Sequence, residues 1–184
     1  MNKEKISLLI RSLLQAIGED VDREGLRETP ERVSKSFAKV FEGYEKDPKT
    51  LITIFDNEGY NEMIIARDID FYSFCEHHML PFYGRAFVGY IPEGKIIGIS
   101  KLPRLVDLYS RRLQNQERLT KQIANTLAEI LEPKGVGVVV KAEHMCMKLR
   151  GVEKQNCTIS TSAFTGLFVR DNRTRDEFLH LIGG

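Results

Sequence analysis

Between Met63 and Ile99 the chain places its β-rich runs so close together that only tight turns can join some of them. Arg85–Ile91 and Lys95–Ile99 are separated by Pro92-Glu93-Gly94 alone, and Leu51–Phe55 and Met63–Ile69 are joined through the turn-forming Asp56-Asn57-Glu58-Gly59. A parallel pair needs a crossover of about a dozen residues or more, so these strands pair antiparallel. Further strands are expected at Val136–Ala142 and Thr158–Phe164.

Helices flank this block. Ile6, Leu9, Ile10, Leu13, Leu14 and Ile17 recur at helical spacing up to Gly18. Thr29-Pro30-Glu31 reads as a capping hydroxyl, a first-turn proline and a first-turn acid, ahead of a stripe of Val33, Phe37, Val40 and Phe41. A third helix is expected after Ser100, with Leu102, Leu105, Val106, Tyr109 and Leu113 on one face. A fourth carries Leu119, Ile123, Leu127, Ile130 and Leu131 and ends at Pro133–Gly135. Thr174 and Glu177 have capping-box spacing and announce a last one. Helices, strands, two helices, strands and a helix make an α+β chain rather than a doubly wound parallel sheet. The expected organisation is one domain, with residues 1–45 a helical arm and residues 46–184 the core.

Charge and cysteine usage narrow the partners. With 27 Lys plus Arg against 26 Asp plus Glu, the net charge of +1 lacks the basic excess of a nucleic-acid binder. No run approaches the ~18 apolar residues that span a bilayer. The opening MNKEKISLLI is spaced like a helix face, with no small-residue cleavage site after it, so export is not expected. Three cysteines, an odd number, then read as thiols or metal ligands in a cytoplasmic protein.

The chemistry gathers in two windows. Cys75-Glu76-His77-His78 and His144-Met145-Cys146 hold three of the four histidines and two of the three cysteines, and thiolate plus imidazole is the donor set that Zn²⁺ prefers. Cys75 and His78 have the spacing of a short pincer turn, and His144 and Cys146, two apart on an expected strand, share a face. Two arrangements suit these donors. Cys75, His78, His144 and Cys146 together would close a tetrahedral structural site. Two cysteines and one histidine would leave the fourth position for water, with two histidines over as acid/base groups; the fifth donor favours this open form.

Gly89 to Lys95 resembles a phosphate-binding loop, but Ile96 stands where Ser or Thr is required and the context is strand–turn–strand, so it is set aside. Lys101 and Arg104 fall in the first turn of a helix capped by Ser100, where free N–H groups favour an anion. Arg111, Arg112, Arg118 and Lys121 lack such a context and read as surface.

Cys75-Glu-His-His, Gly98-Ile-Ser-Lys-Leu-Pro-Arg104, Gln114-Asn-Gln-Glu-Arg-Leu-Thr120, Glu143-His-Met-Cys146 and Arg150-Gly-Val152 occur in an order and spacing that resemble the zinc-dependent GTP cyclohydrolase I family. The likeness runs from Thr29-Pro-Glu-Arg32-Val-Ser-Lys35 to Thr174-Arg-Asp-Glu-Phe178 and covers essentially the whole chain. It implies hydrolysis of GTP to formate and 7,8-dihydroneopterin triphosphate, the entry step to tetrahydrofolate or tetrahydrobiopterin. It also implies the tunnelling fold, in a decamer of two face-to-face pentamers with active sites at subunit interfaces. Carried over by position, Cys75, His78 and Cys146 would bind zinc, and His77 and His144 would be the acid/base pair. Glu117 would read the guanine edge with Gln116 beside it, and Ser100 would touch the ribose. Lys101, Arg104 and Arg150 would hold the triphosphate, joined by Arg32 and Lys35 from a neighbouring subunit. Cys157 departs from the small polar residue expected there and reads as packing.

Overall fold

The computed structural model describes residues 1–183. The chain divides into two compact units, Met1–Glu42 and Gly43–Gly184.

The first unit holds α1 (Lys3–Ala16) and α2 (Thr29–Val40). Asn2 caps α1 by accepting from the Lys5 amide. Thr29, expected as a cap, is instead the first helical residue, and its hydroxyl donates to the Gly25 carbonyl. The proline at N1/N2 serves as the start signal without it. Ser34 Oγ donates to the Lys3 carbonyl at 2.7 Å and ties the two helices together. Leu9, Leu13 and Ile17, from the apolar stripe of the α1 segment, stay exposed.

The second unit is α+β. It begins with α3 (Pro48–Leu51), whose last residue the sequence places at the start of a strand, and β1 (Ile54–Asp56). β2 (Ile64–Cys75) runs further than its composition suggests and carries Cys75 at its end. β3 (Pro81–Ile91) and β4 (Lys95–Ile97) follow, then α4 (Lys101–Ser110), β5 (Leu113–Gln114) and α5 (Gln116–Leu131). The chain returns through β6 (Gly135–His144), α6 (Met145–Lys148) and β7 (Ile159–Phe164), and ends in α7 (Leu167–Arg170) and α8 (Asn172–Leu181). Asp171, not Thr174, caps α8, accepting from the Arg173 amide. α5 stops at Leu131 because Glu132 takes a left-handed conformation, φ 48°.

Five strands form one sheet in the order β5-β2-β3-β6-β7, antiparallel except for the two-residue parallel pairing of β5 with β2. β1 and β4 form a separate antiparallel pair. Side chains alternate across the sheet. Phe71, Phe82, Ala86, Val88, Tyr90, Val136, Val138, Val140 and Ala142 belong to a core shared with Leu102, Leu105, Leu119, Ile123 and Leu127 of α4 and α5. Phe87 and Val139 join a smaller cluster with Phe168, Phe178 and Ile182.

Gly84 is opposite Ala142 in the β3–β6 ladder. A Cβ there would stand 2.0 Å from the Lys141 carbonyl oxygen and 2.7 Å from Ala142 Cα, so the approach of these strands requires glycine.

Candidate metal centre and active-site cleft

The alternation along β6 puts His144 in line with Val136, Val138, Val140 and Ala142, on the face that carries α5. Its opposite number in the ladder is Phe82, and the two rings stack at 4.6 Å. The strand ends there. Cys146 therefore does not share a strand face with His144, as its spacing suggested; it lies on the short α6, whose turn brings the thiol back toward the end of β2.

There the two windows meet. One donor atom each from Cys75, His78 and Cys146 lies within 4.8 Å of the others. Cys75 Sγ is 3.9 Å from His78 Nδ1 and 3.8 Å from His77 Nδ1. Ligands placed 2.0–2.3 Å from a tetrahedral ion stand roughly 3.3–3.8 Å apart, so the trio has the scale of a zinc site. Burial, and then the Cys75 thiol beside it, push the Cys146 thiol above its ordinary value. Two thiols and an imidazole are donors that Zn²⁺ prefers, so the set fits a metal in its chemistry as well as its spacing.

The trio opens into a cleft of about 280 Å³, lined also by His77, Gln114, Asn115, Gln116, Glu117, His144 and Met147. Asn115 caps α5 by accepting from the Arg118 amide at 2.8 Å, and this fixes where Gln116 and Glu117 leave the helix start. Burial lowers the pKa of His144, and the Glu117 carboxylate opposes that shift in part. The ring is thus biased toward its neutral, proton-accepting form.

A second set of contacts, missed from the sequence, anchors the loop that carries His77 and His78. Arg118, read as surface, pairs with Glu76. Its Nε donates to Gln114 Oε1 at 2.9 Å and its terminal nitrogen to the Leu113 carbonyl at 3.0 Å. Asn115 Nδ2 donates to the other Glu76 oxygen at 3.1 Å. Arg118, followed by Asn115, holds the Glu76 carboxyl below its usual range. The available signal was the charged Glu76 inside an otherwise metal-binding run.

The remaining expected residues fall in three places. Arg150 reaches the trio: its guanidinium is 3.4 Å from His78 Nε2 and donates to the Cys146 carbonyl at 3.3 Å. Ser100, Lys101 and Arg104 sit at the start of α4, outside the lining of the cleft. Ser100 is the residue before that helix, but its side chain makes no cap hydrogen bond, contrary to expectation. Arg32 and Lys35 lie on α2 in the first unit, where they pair with Glu28 and Glu31 one turn earlier. Gln116 departs most from its expected role: it is 2% exposed and its amide is committed to protein groups rather than turned toward a base.

Comparison with known proteins gives the family. A family model described as GTP cyclohydrolase I matches residues 6–183. A GTP cyclohydrolase 1 of Leptospira biflexa is 57% identical over 176 residues, covering 95% of this chain and 96% of that protein. One of Chlorobaculum tepidum is 55% identical over 176 residues, covering 95% of this chain and 78% of that protein. One of Wolinella succinogenes is 53% identical over 182 residues, covering 97% of each. With a match along nearly its whole length and the Cys75–His78–Cys146 trio assembled, this chain belongs to the GTP cyclohydrolase I family.

Proposed function

We propose that the protein opens the imidazole ring of GTP hydrolytically, releasing formate and forming 7,8-dihydroneopterin triphosphate, with zinc held by Cys75, His78 and Cys146. The observation that carries this reading is the convergence of that trio with His144 and Glu117 in one cleft. When bound, zinc supplies a water acidified enough to attack carbon near neutral pH.

The rest is the work of side chains. C8 of a purine is a poor electrophile until N7 is protonated, and His144, half-buried beside the trio, delivers that proton from its charged form, which the Glu117 carboxylate favours against burial. His77, exposed at the rim and 3.8 Å from Cys75 Sγ, serves the later opening of the ribose, whose ring oxygen must gain a proton. Glu117 accepts from guanine N1–H and the 2-amino group, a pair that adenine does not offer. Leaving a carboxylate unsatisfied there disfavours adenine by about 2 kcal/mol or more.

Ser100 contacts the ribose, while Lys101, Arg104 and Arg150 take the triphosphate. Lys101 and Arg104 lie in the first turn of α4, where the helix dipole already attracts an anion. Arg32 and Lys35 join them from a neighbouring subunit. Their present pairs with Glu28 and Glu31 are exposed, and such pairs give way readily to a phosphate.

The assembly we infer is a decamer of two pentamers in the tunnelling fold. Two features support association: the exposed Leu9, Leu13 and Ile17, and a sheet bounded on one side by β7 and on the other by a β2 that β5 covers for two residues only. Among the described residues no helix is long and apolar enough to cross a membrane. A cytoplasmic location suits three cysteines that are all free thiols.

The test is direct. Zinc-loaded protein given GTP releases formate and yields a pterin that fluoresces after oxidation; unchanged GTP would overturn the reading.

A further inference from the structure

Gln116 makes contacts that a base-binding residue would not need. Its Nε2 faces three acceptors: the Val140 carbonyl at 3.0 Å, the Ile159 carbonyl at 3.0 Å and Thr161 Oγ1 at 3.1 Å. Only an N–H group satisfies two carbonyls, so the orientation of the amide is dictated by its surroundings. The hydroxyls agree. Thr120 donates to the Gln116 backbone carbonyl at 2.7 Å, which leaves Thr161 to donate to Thr120 and to share one of the two Nε2 hydrogens with a carbonyl.

The amide oxygen then points at His144, with Oε1 2.8 Å from Nε2. An amide oxygen only accepts, so Nε2 carries the proton. A neutral imidazole has one N–H, which makes Nδ1 the atom with the lone pair. Phe82 stacks on the same ring within 2° of parallel and fixes its plane, while the Gln116 bond fixes its rotation within that plane.

We propose that Gln116 is a positioning residue for His144, holding the ring as the Nε2–H tautomer through the Nε2–H···Oε1 bond and leaving Nδ1 as the atom open to the substrate. The inference rests on the catalytic reading of His144 given above and moves Gln116 from base contact to catalytic support.

The experiment is ¹⁵N NMR of the zinc-loaded protein labelled at histidine, with the His144 signals assigned by their loss in His144→Gln. The expected neutral species has a protonated Nε2 and an unprotonated Nδ1; the reverse tautomer overturns the proposal. Gln116→Met supplies the kinetic arm. A lost positioning contact lowers kcat for GTP about 10- to 100-fold, keeps KM within about threefold and mixes the two tautomers. A raised KM with kcat retained would return Gln116 to the base and overturn the proposal. Should Gln116→Met not fold, the tautomer of the unsubstituted protein decides alone. That readout needs no turnover, so a failure of the GTP reading and a failure of this one are told apart.

Discussion

The Phe82 ring lies 4.6 Å from the His144 imidazole and 2° from parallel to it, because the two residues face each other across the β3–β6 ladder. Phe82 also meets Phe71 edge-on at 5.9 Å and is fully buried, so one residue joins the core to the reactive ring. Phe82→Leu should cost about 1–2 kcal/mol in denaturant unfolding, from lost volume and lost ring contacts. It should also lower kcat about tenfold with little change in KM. Unchanged kcat in a destabilised variant would show that the stacking does not orient His144.

His144→Ala should retain its metal while formate release falls about 100-fold or more, because the side chain stands beside the trio without belonging to it. Metal content by elemental analysis and formate by a coupled assay read the two halves separately. Loss of metal would instead make His144 a fourth ligand and the site a closed one.

Removing the metal should expose a thiol pair. Chelated protein treated with diamide, which oxidises two thiols to a disulfide and is itself reduced to the hydrazine, should link Cys75 to Cys146 and leave Cys157 free. Peptide mapping by mass spectrometry checks this. Zinc-loaded protein should resist the same treatment.

Arg118→Met should weaken metal binding about tenfold without unfolding the protein, since the arginine holds Glu76 in the loop between two metal ligands. Competition with a chromogenic chelator measures the effect. An affinity equal to that of the unsubstituted chain would return Arg118 to the role of a surface cation.

Strand alternation, the break between helical and strand periodicity, and the two donor windows were legible from residues alone, because each depends on local pattern. What was not legible depended on partners distant in sequence. Arg118 looked like a surface cation because Glu76, its partner, is 42 positions away. Cys146 was assigned to a strand because nothing local marks His144 as the last strand residue. Thr29 and Thr174 looked like caps, but in each case the helix begins earlier, and at α8 the capping acceptor is Asp171. Gln116 was read through its neighbour Glu117; its actual contacts come from β6 and β7, which only the folded sheet brings to it.

Asp171 offers a pH-dependent check on one of those corrections. Its carboxyl accepts from the Arg173 side chain and amide, which hold its pKa below the ordinary value. A depressed folded-state pKa contributes stability above the unfolded value of about 3.9, and that contribution is lost as pH falls through the folded value. Asp171→Ala should therefore lower the urea midpoint at pH 7, and the gap to the unsubstituted protein should narrow as the pH approaches 3. A gap that does not depend on pH would remove the carboxylate from the account of the cap.

Gly84 holds no proton, metal or phosphate, yet it sits two residues along β3 from Phe82 and opposite Ala142, two residues before His144. A single added methyl group would collide with the neighbouring backbone and wedge the two strands apart. Such a chain would retain every reactive group and still be inert, so an intact list of reactive residues is an insufficient sign of a working member of this family: the silent spacer beneath them has to be intact as well.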